Sequence, residues 1–445
     1  MHYLIYYTFI VLSFFFVYLA WDKRFLLSIS NVSLFFIYIF VAFPGLHVAE
    51  RFLLERDDVN SFLLFYFIFV VSFLVPPLAV FLGRGLAHGK KLPKLALCNK
   101  STYRLDVLVC FVVMYSFYYY YYHFNNVPLF AIISQPSLDR AHSAVLRNAL
   151  THNLLDFNPN LPFFLRYWRL IMQNIGTTLF LIKYAESIKE SLAFPQKSKK
   201  SMPLYALFIL IFLNLTFTLE KAPVLTFLSQ MFAVKLFYTK KFSVLIVFFI
   251  VSLPLIMYVF FMGSSFESVF LNLFKRLSSQ NVHIVEQYDI YKKMFDEQFL
   301  FFRNYRFPIW DFLFAKERVE LSSEAYKVVY STYYLHHDIV GTTGSLTLFH
   351  LFTSFGLTCA TVLYFLYFIF LGYFSELIIK ASIELDKNIY IVIILIELAF
   401  FFFPVSTGSL GTLFNSSLFL SPHLLIILFL PVSLGGSLCR TRILH

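Results

Sequence analysis

Long apolar runs separated by short polar breaks dominate the chain. Reading from Met1, runs of spanning length fall near residues 3–20, 26–44, 61–83, 105–122, 164–183, 203–219, 222–239, 242–262, 352–374, 388–405 and 417–436. A helix of about 20 apolar residues crosses ~30 Å of hydrocarbon, so each run is read as a membrane span. The pattern predicts an all-α polytopic membrane protein of about eleven transmembrane helices, with residues 1–445 forming a single membrane domain. The first run ends in Trp21-Asp22-Lys23-Arg24, has no basic residue before it and lacks a small-residue cleavage site, so it is expected to be an uncleaved span.

The polar breaks alternate in charge, and this orients the spans. Lys23 and Arg24 mark one side, followed by Arg84, Lys90, Lys91, Lys94, Lys100 and Arg104, then Lys183, Lys189, Lys197, Lys199 and Lys200. Lys240 and Lys241, Lys380 and Lys387, and Arg440 and Arg442 continue the series. The positive-inside rule makes these the inner loops, with the N-terminus outside and the C-terminus inside. Composition agrees: 59% of residues are hydrophobic and 14% charged, where a soluble chain carries roughly a quarter. The formal charge of +11 is thereby a property of inner loops and does not point to nucleic acid. Cys98 and Cys439 fall inside and Cys110 and Cys359 within spans, which leaves no disulfide framework for the outer side.

Two breaks are too long to be connectors. Residues 123–163 and 263–350 form outer loops rich in aromatic residues and interrupted by proline. Structureless loops of that size are uncommon unless they work. Phe266, Phe270, Leu273, Phe274 and Leu277 recur at helical spacing and predict an amphipathic, interfacial helix in the larger loop.

No Walker A, GxGxxG, HExxH or GxSxG pattern is present, and Gly83-Arg84-Gly85 lacks the third glycine of a nucleotide-binding turn. The chemistry-bearing residues are outer cations instead. Arg140 and Arg147 are two helical turns apart, Arg166 and Arg169 flank Tyr167-Trp168, and Lys221 interrupts apolar sequence between two spans. Lys275 and Arg276 end the amphipathic segment, and Arg303 and Arg306 are three apart. Guanidinium groups at bilayer height suit bidentate phosphate binding, although Arg166 and Arg169 also fit an interface anchor. The run Thr332–Gly344, TYYLHHDIVGTTG, holds His336, His337 and Asp338. Neighbours on a helix point about 100° apart and on a strand to opposite faces, so the two histidines do not chelate one metal ion.

The order of elements resembles the bacterial O-antigen polymerases of Wzy type, relatives of the O-antigen ligases and of the GT-C membrane glycosyltransferases. Four segments carry the resemblance: NVPLFAIISQPSLDRAHSAVLRN, LEKAPVLTFLSQM, the loop from FKRLSSQNVHIVEQYDIYKKMF to TGSLTLFHLFTSFGLTCA, and STGSLGTLFNSS. Some members place glycine eleven residues after arginine, whereas here Thr151 follows Arg140 and Asn158 follows Arg147. The resemblance implies a GT-C-like fold in the bacterial inner membrane, with chemistry on the periplasmic face. It implies a metal-independent, cofactor-free transferase joining undecaprenyl-diphosphate-linked glycans, donor and acceptor both lipid-linked, with a Wzz-type chain-length regulator as partner. Arg140, Arg147, Lys221, Arg276, Arg303 and Arg306 are the diphosphate-binding set, and His337, Asp338 and Arg147 the catalytic set.

Two other classes stay open. A metal-dependent GT-C enzyme using polyprenyl-monophosphate sugar would place acids in an outer loop, and Glu55-Arg56-Asp57-Asp58 lies in one. A glycan flippase would show internal repeats and short outer loops with charges inside spans, whereas the chain shows no repeat and carries its polar mass in two outer loops.

Overall fold

The computed structural model describes residues 2–25, 27–90, 110–115, 117–118, 127–134, 145–146, 175–194, 202–217, 221–241, 252, 283–295, 299–300, 321–331, 346–384 and 389–407. These residues are mostly helical and contain no strand. Four of their helices are long and apolar enough to cross a membrane: His2–Ala20, Ile29–Arg56, Val59–His88 and Leu357–Ile383. Large apolar side chains such as Leu4, Val11, Leu63 and Leu366 stand exposed on the outward faces of these helices. An aqueous surface would not leave such side chains uncovered on every long helix, whereas a lipid surface covers them. The protein has the architecture of a membrane-embedded helical bundle.

The first span is α1, His2–Ala20. The second is one continuous rod made of α2, Ile29–Ile37, a π turn, Tyr38–Ala42, and α3, Phe43–Arg56. The π turn lies just before Pro44, whose missing N–H interrupts the helical ladder. Side chains of α1 reach this irregular stretch: the Tyr6 hydroxyl donates to the Ala42 carbonyl at 2.8 Å, and the Tyr38 hydroxyl donates to Ser13 Oγ at 2.6 Å.

The third span, α4, Val59–His88, contains Pro76 and Pro77. Pro76 cannot donate to the carbonyl four residues back, that of Ser72. The Tyr364 hydroxyl, from the helix packed alongside, donates to that carbonyl at 3.0 Å. A neighbouring side chain thus replaces the missing backbone donor, which is how proline becomes tolerable within hydrocarbon. Tyr364 belongs to α12, Leu357–Glu384, which packs along much of α4. Gly83 and Gly372 sit at the crossing. A Cβ on Gly83 would overlap the Ile369 backbone carbonyl, and one on Gly372 would overlap that of Val80. Close approach of these backbones needs the small residues on both helices. Gly83 therefore has a packing role in a triplet that carries no nucleotide-binding pattern.

The remaining elements are α5, Pro128–Ser134, α6, Thr177–Ala193, α7, Met202–Thr216, and α8, Lys221–Thr239. They are followed by α9, Ile284–Phe295, α10, Leu321–Val329, α11, Thr347–Phe355, and α13, Ile389–Thr407. The helices at 202–216, 221–239 and 389–407 lie close to expected spans. Several boundaries differ, and the run expected at 26–44 continues as a helix to Arg56. The run expected at 352–374 is divided at Gly356, whose φ of 79° ends α11 and starts α12 anew. The run expected at 164–183 continues to Ala193, because Glu186, Lys189 and Glu190 are good helix formers that carry α6 past the apolar stretch. The amphipathic segment predicted at 266–277 lies outside the described residues.

Candidate functional site

The bundle has two polar ends and one buried polar centre. At the first end, Asp22, Arg24, Arg84 and Glu376 form a closed network. Arg24 donates through Nη2 to Asp22 Oδ2 at 2.7 Å and through Nη1 to Glu376 Oε1 at 3.0 Å. Arg84 approaches Asp22 at 3.3 Å and Glu376 at 3.5 Å. The Asp22 backbone N–H donates to Asn31 Oδ1, and Asn31 returns a hydrogen bond to the Asp22 carbonyl. Burial works against charge on Asp22, but the arginines outweigh it and hold the carboxyl below the usual range. Lys380 donates to the terminal carbonyls of α4, at Ala87 and His88, and Lys240 donates to the Arg24 carbonyl at 3.3 Å. A cavity of about 360 Å³ opens beside this network, lined by Leu19, Phe81, Gly85 and His88 along with Arg24, Arg84 and Glu376. Both guanidinium groups already face carboxylates, so the network works as a lock between α1, α2, α4 and α12.

At the opposite end, α9 is fastened to the turn between α3 and α4. This turn is two residues long. Asp57 adopts a left-handed conformation, with φ of 51°, and Asp58 caps α4 by accepting from the Ser61 N–H at 3.0 Å. Arg51 donates to Glu55 at 3.0 Å and to Glu286 at 3.0 Å, Arg56 pairs with Asp289, and Lys292 stands 3.9 Å from Asp58. Under these pairs, Tyr288 meets Phe52 and Phe65 edge-on. Ile284, Val285, Tyr288 and Tyr291 form the buried face at helical spacing. Burial pushes the Glu286 carboxyl up, but the His283 ring 3.5 Å away and the hydrogen bond from Arg51 prevail and bring it down to about 2. Helix α10 packs on α9, and Leu300 donates to the Thr353 carbonyl of α11 at 2.9 Å. His2 Nε2, at the start of α1, stands 3.1 Å from Glu50 Oε1 at this same end.

Between the ends lies Glu397 of α13, 8% exposed. Thr178 Oγ1 of α6 donates to its Oε1 at 2.9 Å, and Gln230 Nε2 of α8 lies 2.7 Å from its Oε2. Thr178 and Gln230 are themselves buried. A carboxyl group so placed ties three helices together and is unusual within apolar sequence. The stretch IYIVIILIELAF was legible as a span, and the single acid within it was the signal for this site.

Most of the residues picked out by sequence are not among those described. Arg140, Arg147, Arg276, Arg303, Arg306, His337 and Asp338 lie outside the described residues. Lys221 is the first residue of α8, nine positions before Gln230 and so roughly 13 Å along the helix axis from the buried centre. Asp57 and Asp58 form and cap a turn, which accounts for both acids without a metal ion. No protein-family model, curated protein or solved structure matches the chain.

Proposed function

We propose that the chain is a membrane glycosyltransferase that polymerises undecaprenyl-diphosphate-linked repeat units into O-antigen or a similar surface polysaccharide. In this account about eleven spans cross the bacterial inner membrane in a GT-C-like arrangement. The end holding Arg24, Arg84, Lys240 and Lys380 faces the cytoplasm by the positive-inside rule, and the end holding α9 faces the periplasm.

The observation that carries the proposal is the seating of α9 on the α3–α4 turn. Part of the large polar segment is folded and fixed to the bundle by Arg51–Glu286, Arg56–Asp289 and aromatic packing. A segment held in this way is suited to building a substrate cavity over the membrane surface. Transfer joins an acceptor sugar hydroxyl to the donor's anomeric carbon while the bond to diphosphate breaks. Arg140, Arg147, Lys221, Arg276, Arg303 and Arg306 are assigned to the charge left on the diphosphate, and His337, oriented by Asp338, to the hydroxyl proton. No cofactor enters this scheme, and a Wzz-type regulator is the partner assigned to set chain length.

Glu397 favours a second reading. A carboxyl within a span is a feature of transporters, and a lipid-linked glycan flippase is the corresponding alternative. Deletion of the gene separates the two. Loss of a polymerase leaves single capped repeat units at the cell surface, whereas loss of a flippase leaves uncapped lipid-linked units inside.

A further inference from the structure

We infer that Glu397 is a proton-binding site at the centre of the bundle, occupied at neutral pH. The inference goes beyond the glycosyl-transfer proposal and does not depend on it. Both carboxyl oxygens of Glu397 have partners, Thr178 Oγ1 at 2.9 Å and Gln230 Nε2 at 2.7 Å, and both partners are neutral. The acid is buried on a span whose residues 389–400 are otherwise apolar apart from Tyr390. A bare carboxylate there would lack both water and a counter-cation, and a bound proton removes the charge.

The hydrogen-bond geometry accommodates that proton. The 2.7 Å separation fits either an O–H···O bond or an N–H···O bond. Exchanging the amide oxygen and nitrogen of Gln230 lets the Glu397 O–H donate to the amide carbonyl, while Thr178 still donates to the other oxygen.

Among the described residues, the charged groups on elements packed against α13 are engaged elsewhere or lie further along. Lys183 and Glu186 on α6 face each other at 3.7 Å. Lys235 is five residues beyond Gln230 on α8, Glu376 on α12 is held by Arg24 and Arg84, and His350 is on α11. Tyr390 is seven residues before Glu397, and α2 carries no ionisable residue. Other charged residues of these helices stand at the helix ends, and the other titratable groups on them are tyrosines and Cys359.

The test uses the full chain in lipid nanodiscs. Infrared spectra at neutral pH should contain a protonated-carboxyl C=O band that is missing from Glu397→Gln. Dicyclohexylcarbodiimide, which enters membranes and reacts with protonated acids, should label the wild-type peptide containing Glu397. Labelling should fall about tenfold per pH unit above its midpoint. The Gln variant mimics the neutral acid and should keep the wild-type thermal midpoint. A carboxylate band in place of the acid band at neutral pH overturns the inference. So does protection of Glu397 by Na⁺ at fixed pH, which would make the ligand a metal cation, or a Gln variant that fails to fold.

Discussion

Glu376 shows at the residue scale what keeps ions stable at the edge of a membrane. Its side chain is 2% exposed and faces two guanidinium groups that also share Asp22. Removing one partner from a buried ion network leaves the rest uncompensated, a loss of about 3 kcal/mol or more. Glu376→Ala is therefore expected to lower the thermal midpoint clearly, and Glu376→Gln, which keeps an acceptor, to lower it less. Equal effects would show that the charge does not matter there. The sequence marks Arg24 and Arg84 as inner-loop cations but does not reveal their acids. Glu376 lies 352 positions from Arg24, and only packing of α12 against α4 joins them. Glu397 was visible as a lone acid in an apolar run, but its partners Thr178 and Gln230 lie on other helices that no period or motif ties to it.

Apolar run length is the strongest signal at the element scale, and helices at 59–88, 202–216, 221–239 and 389–407 lie close to where it predicts them. Breaks within runs are harder to read. Gly356 divides one run because its positive φ suits only glycine, whereas Pro76 leaves α4 intact because Tyr364 satisfies the abandoned carbonyl. The Gly83–Gly372 crossing makes a direct test. Gly83→Val forces a side chain into the Ile369 carbonyl, and the expected outcome is loss of folded, detergent-stable protein in size-exclusion chromatography. Gly85→Val, where a Cβ meets nothing within 4 Å, should elute as wild type.

The docking of α9 has a pH dependence whose sign follows from Glu286. Its carboxyl titrates at about 2 in the folded protein against an ordinary 4.5. The stabilisation is thus complete above about pH 4.5 and is lost as pH falls towards about 2. Spin labels at the exposed positions Leu54 and Met294 should report a narrow distance distribution that broadens across this range. Glu286→Gln should reduce the pH dependence, while Arg56–Asp289 and Lys292–Asp58 still link α9 to the turn. A distribution insensitive to acid would mean that Tyr288 packing alone holds α9.

At the scale of the whole molecule, among the described residues, Arg24, Arg84, Lys240 and Lys380 gather at one end of the bundle and the α9 cap lies at the other. That separation fits chemistry on one membrane face, the central claim of the proposed polymerase. Of the assigned diphosphate ligands, Arg147 carries the sharpest expectation. Arg147→Ala should reduce elongation by roughly 10²–10³, the usual effect of removing one donor to a developing charge, while Arg169→Ala, an interface anchor, should reduce it little. Equal, mild effects would count against a diphosphate clamp. The most direct measurement supplies purified protein in liposomes with undecaprenyl-diphosphate-linked repeat units and a divalent-metal chelator, and follows product length on gels. The account predicts a ladder of elongated lipid-linked glycan that forms in the presence of the chelator. A ladder that disappears with the chelator and requires Asp57 or Asp58, or no elongation at all by active, folded protein, would contradict it.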